Sequence, residues 1–124
     1  MAYRVNKEEF EELVEEALET IPKKYHRYFK NLTVHVEDYP DDEVLEFVGL
    51  PKTELLGLFT GAGFSSPGFF DTPAPLPDSI ILYKKNIEAV SNTRDKLLYE
   101  IRTTLVHEVG HYFGLNDDEL ERYE

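Results

Sequence analysis

Residues 107 to 111 read His-Glu-Val-Gly-His, two histidines four positions apart with a glutamate beside the first. On a helix, residues four apart lie one turn apart on the same face. Two imidazoles placed there can reach one ion at about 2.0–2.1 Å each. Glu108 projects beside them, where a carboxylate can reach a metal-bound water rather than the metal. With ordinary residue frequencies, H-E-x-x-H arises by chance in roughly one chain in several hundred of this length. The plain alternative is a pair of inert histidines on a partly buried helix face.

A third ligand has to come from outside that turn. Gly114 lets the chain turn sharply, and Asp117 follows three residues later, so the run reads H-E-x-x-H-x-x-G-x-x-D. Two histidines and one carboxylate occur in catalytic zinc sites, with a fourth position kept for water. A carboxylate in place of a third histidine should make the ion a somewhat weaker Lewis acid. Asp118 and Glu119 are neighbouring acids, and the third ligand could be any of the three. Zinc is the cofactor expected from these ligand types, although other divalent ions compete for such donors.

The elements that must position these groups follow from periodicity. The final helix is expected over about Thr93–Phe113, capped by Asn92, with Asp95 favourably placed against the helix dipole in its first turn. Leu97, Ile101, Leu105 and Val109 form its buried stripe, and Gly114 ends it in left-handed conformation. Gly110, in the middle of this helix, costs about 1 kcal/mol against alanine. Close packing against a sheet would account for it.

Another helix is expected over about Lys7–Thr20, capped by Asn6 with Glu9 as a capping-box partner and closed by Pro22. Phe10, Leu13, Val14, Ala17, Leu18 and Ile21 are its apolar face. Leu32, Val34 and Val36 alternate with polar residues as in a half-buried strand. A short helical turn begins at Pro40 and Asp41, turns Val44, Leu45 and Val48 inward, and stops at Gly49 and Pro51. Leu55–Thr60 and Ser79–Tyr83 read as two further strands. Between them, Gly61–Asp78 carries four prolines and three glycines, a long loop of the functional or mobile kind, with Phe64, Phe69 and Phe70 in it.

The 124 residues fit one domain spanning 1–124. Apolar residues make up 41% and charged residues 31%, an ordinary globular balance. Mean hydropathy is −0.44, and no apolar run approaches membrane-spanning length. The N-terminus is polar and acidic, without the apolar core of a signal peptide. There are no cysteines, which excludes disulfides and thiolate metal sites and suits a cytoplasmic location. The net charge of −12 makes nucleic acid and anionic membrane poor partners.

The run His107–Asp117 is similar to the extended metal signature of the metzincins. The chain as a whole resembles the small bacterial zincin-like metallopeptidases, or minimal zincins. The motif covers 11 of the 124 residues, and weaker similarity extends over Leu55–Gly61 and Leu76–Tyr83. The resemblance implies an α+β fold, a small mixed sheet packed against helices, with the active-site helix near the C-terminus. It also implies His107, His111 and Asp117 as metal ligands and Glu108 as catalytic acid and base. The chain departs from the metzincins in lacking a methionine turn, since Met1 is the only methionine. Seven residues follow Asp117, so the site is expected to be shallow.

The expected activity is therefore zinc-dependent hydrolysis of peptide or amide bonds, with Glu108 activating the water. A peptide or protein substrate would align along an edge strand, for which Ser79–Tyr83 is the candidate. Tyr112, Tyr123 and His35 are the candidates for stabilising an oxyanion, and ordinary packing or exposure is the competing reading for each. His26 lies in a basic, aromatic turn beside Tyr25 and Tyr28 and has no assigned role. The alternative to an enzyme is a metal-binding or protein-interaction module on the same scaffold. An intact Glu108 argues against it, because a structural metal site needs no base.

Overall fold

The computed structural model describes residues 1–60, 78–112 and 114, without the side chain of Tyr112. Helix α1 spans Lys7–Thr20, with the Asn6 side chain accepting the Glu9 backbone N–H at 2.8 Å. A 3-10 turn at Lys23–Tyr25 leads into α2, His26–Phe29. Strand β1 is Thr33–Glu37 and α3 is Asp42–Val48. Asp41 caps α3 by accepting the Val44 N–H, and Gly49 ends it at φ 71°, a left-handed conformation that glycine adopts without penalty. Strand β2 is Gly57–Thr60, two residues shorter than the sequence pattern suggests. Strand β3 is Ser79–Tyr83. It runs directly into α4, Lys84–Ala89, and α5 follows over Arg94–Tyr112.

The strand order is β1-β3-β2, with β1 parallel and β2 antiparallel to β3. The chain is thus α+β with a small mixed sheet, as expected. The order corrects one expectation: Ser79–Tyr83 is the central strand, not an edge. Its continuous apolar run Ile80-Ile81-Leu82 is the pattern of a strand covered on both faces. Ile80 and Leu82 face the main core, where α1 contributes Phe10, Leu13, Val14 and Ala17 and α5 contributes Leu97, Ile101, Leu105 and Val109. Ile81 and Tyr83 face the other way, against Val44 of α3 and Leu58.

Helix α4 escapes the sequence reading because three of the four side chains it buries are polar, and Ile87 alone among them is apolar. Lys84, Asn86 and Glu88 are all inside, so no apolar periodicity announces it. Glu88 accepts from Lys84 Nζ at 2.8 Å, from Arg4 Nη1 at 3.2 Å and from the Val5 N–H at 3.0 Å. A buried carboxylate requires such partners, and these tie the N-terminal segment to the end of β3. Asn86 Nδ2 donates to the carbonyls of Lys52 and Leu55 and so fixes the segment entering β2.

The cap of α5 also differs from expectation. The Thr93 hydroxyl, not Asn92, accepts the Lys96 N–H at 3.1 Å. Threonine caps helices too, less strongly than asparagine, and the start of the helix one residue later selects it. Gly114 follows the helix at φ 79°, with its N–H bonded to the His111 carbonyl at 3.1 Å. No helix among the described residues is long and apolar enough to cross a membrane.

Candidate active site

The last turns of α5 carry the H-E-x-x-H residues. Leu105 and Val109 anchor the helix in the core at 0% and 1% exposure, which rotates the histidines to the outer side. His107 is half-buried and His111 exposed. Their rings stack nearly parallel, 8° apart, with centroids separated by 6.0 Å. Both imidazoles therefore stand on one face, one turn apart, as the four-residue spacing demands.

Glu108 points to β2. Its carboxylate accepts the backbone N–H of Phe59, and the strand register explains why that amide is available. The Tyr83 N–H bonds to the Leu56 carbonyl, and Leu58 pairs with Ile81. In an antiparallel ladder, alternate residues turn their amides away from the partner strand. Gly57 and Phe59 therefore direct their backbone polar groups outward, toward α5. Burial pushes the Glu108 carboxyl above the ordinary carboxylate value, while the His111 charge and the Phe59 N–H pull it back down.

One turn before Glu108, α5 meets β2 at Thr104 and Gly57. A Cβ on Gly57 would lie 2.7 Å from Thr104 Cγ2 and 3.2 Å from the Ile81 carbonyl oxygen. Only glycine lets strand and helix approach this closely. Neither Gly57 nor Phe59 figures in the sequence-level site. A glycine inside the otherwise apolar strand pattern Leu55–Thr60 was the available signal for Gly57; nothing in the sequence marks the Phe59 amide.

A family model described as zincin-like metallopeptidase matches residues 29–124. The chain belongs to the zincin-like metallopeptidase family. Its fold is similar to that of a conserved hypothetical protein from T. thermophilus, with a TM-score of 0.58 and 24% identity, covering 96% of this chain and 100% of that one. No curated protein matches.

For a member of this family, His107 and His111 fit a metal: two nitrogen donors on a common face, at the surface, with a carboxylate alongside. Among the described residues no three potential ligands converge. Asp117, Asp118 and Glu119 lie outside them, as do Tyr123 and the phenylalanines expected in the long loop. Two residues weighed at sequence level belong elsewhere. His35 is exposed on β1, separated from β2 by the whole width of β3. His26 sits at the start of α2, its Nε2 against the Ile21 carbonyl.

Proposed function

We propose that this chain is a zinc-dependent peptidase or amidase in which His107, His111 and Asp117 hold the ion and Glu108 is the general base and acid. The observation that carries the reading is the setting of Glu108. Its carboxylate is partly buried, feels the charge of His111 and accepts the Phe59 backbone N–H on the outer side of β2, on the helix that stacks His107 and His111. A bound zinc ion supplies Lewis-acid polarisation of the scissile carbonyl and lowers the pKa of a water.

The chain's own groups supply the rest. Glu108 takes a proton from the attacking water and returns it to the departing amine. Partial desolvation suits it to that task, since a raised pKa makes the carboxylate a stronger base. The Phe59 N–H orients the carboxylate. With the Phe59 N–H engaged, the backbone groups of Gly57 and the Phe59 carbonyl, on the outer side of β2, replace Ser79–Tyr83 as the edge along which an extended substrate would align.

The test is digestion of a peptide library by the purified chain with and without a chelator, alongside zinc analysis of the wild type and of His111→Ala. Chelator-sensitive cleavage with about one equivalent of zinc, lost in the variant, supports the reading. Cleavage indifferent to chelator, or zinc retained by His111→Ala, would overturn it.

A further inference from the structure

The charge of the chain is unevenly distributed. Twenty-five of its residues are Asp or Glu, yet none lies between positions 20 and 36. That stretch holds Lys23, Lys24, Arg27 and Lys30, four of the thirteen Lys and Arg, with His26 among them. In a chain of net charge −12 this is an island of opposite sign.

The island borders an apolar groove of about 540 Å³. Leu18, Phe29, Leu32 and Val34 supply its apolar lining, all half-buried against the main core. His26, Arg27 and Lys30 supply its basic lining, all exposed. The Arg27 guanidinium lies 4.8 Å from the Tyr28 ring and donates to its hydroxyl at 2.7 Å, which holds it extended at the surface.

Strand β1 runs alongside. Its Thr33 N–H bonds to the Asp78 carbonyl, and its register with β3 is Thr33 to Ser79, His35 to Ile81 and Glu37 to Tyr83. In a parallel ladder the odd-numbered residues then bond to β3, and the amides and carbonyls of Val34 and Val36 turn outward. Among the described residues no strand lies on that side. An open strand edge is a template for another extended chain.

We propose that the β1 edge and its groove dock an extended acidic segment of a partner protein. Backbone pairing with Val34 and Val36 would fix its direction, an apolar side chain would seat against Leu18, Phe29 and Leu32, and its carboxylates would meet His26, Arg27 and Lys30. The occupant is acidic because the island is basic, and extended because the edge is a strand. This surface is on the opposite margin of the sheet from Glu108, so the proposal stands apart from the catalytic one.

The test uses the full chain carrying Glu108→Gln, so that no probe is consumed. The probe is a fluorescein-labelled octapeptide with two alternate valines set among glutamates. Saturable binding is expected, weakened at least tenfold by Arg27→Glu/Lys30→Glu and by N-methylation of the probe amides on one face only. Amide NMR shifts should concentrate at 32–36. Equal binding of a probe with lysine in place of glutamate, or shifts concentrated at Gly57–Thr60, would overturn the proposal. A concentration-dependent dimer that the double variant disperses would assign the groove to a second copy, and would overturn it too.

Discussion

Strands β1 and β2 flank the same central strand, but their outer sides meet different surroundings. All four residues of β2 are buried; β1 alternates exposed and half-buried. The side chain of Thr104 lies so close to Gly57 that no Cβ fits between them, and the Phe59 amide is bonded to Glu108. Along β1 the neighbours are the exposed basic side chains of α2 and an open groove. The role proposed for Glu108 needs fixed geometry, and close packing of strand on helix provides it. A surface that receives another chain gains from an unpaired edge and adaptable charges.

The contrast can be broken most severely at Glu108. Glu108→Gln keeps size and removes basicity, so kcat should fall by about 10²- to 10⁴-fold while bound zinc is unchanged. In the wild type, kcat/KM should fall as pH drops through the Glu108 pKa, which burial lifts above the usual carboxylate range. An acid limb at the ordinary carboxylate position would indicate a solvated group. Full activity in the glutamine variant would remove the chemical distinction between the two edges.

Stability should show the same asymmetry. Leu105 is fully buried under the sheet, and Leu105→Ala should cost about 2–5 kcal/mol. Val36→Ala, in the half-buried strand, should cost about 1 kcal/mol. Urea denaturation of both variants measures the difference, and equal costs would show that β1 is as firmly packed as the α5 side. A subtler probe is Gly57→Ala, which forces a methyl against Thr104 and should cost about 1–3 kcal/mol. Adding Thr104→Ser removes the opposing methyl and should recover most of the loss, a coupling readable in a double-mutant cycle.

The smallest effect concerns Tyr83, whose surroundings draw on both margins. Its hydroxyl is buried without a hydrogen-bond partner among the described residues, and burial, with Glu37, Asp41 and Glu108 nearby, raises its pKa. The folded state therefore keeps the proton that an unfolded tyrosine releases near about pH 10. The sign follows from linkage: this contribution is intact below about pH 10 and is lost as pH rises further. Tyr83→Phe should flatten the alkaline loss and, by deleting an unsatisfied group, stabilise the neutral protein by about 1 kcal/mol. Alkaline unfolding curves of the two proteins provide the check.

Wherever one face of an element is apolar, the sequence was legible. Helix α1 with its Asn6 cap, the span of α3, the buried stripe of α5 and all three strands follow from period and punctuation. The H-E-x-x-H spacing likewise places two imidazoles on one face of a helix, a property of the helix itself. What stayed hidden lacks a local signature. Helix α4 buries Lys84, Asn86 and Glu88, whose burial is tolerable only because Arg4, the Val5 amide and the carbonyls of Lys52 and Leu55 arrive from distant parts of the chain.

Strand order is of the same kind. A continuous apolar run such as Ile80-Ile81-Leu82 declares a strand without naming its neighbours, so only the pairings show that β3 is central and β2 the margin beside Glu108. By itself, then, the chain's sequence determined which residues can do chemistry and which faces turn inward, because those depend on side-chain type and helical or strand period. Tertiary structure alone decided which backbone amide meets the Glu108 carboxylate and which strand edges stay open among the described residues, because both depend on contacts between segments far apart in sequence.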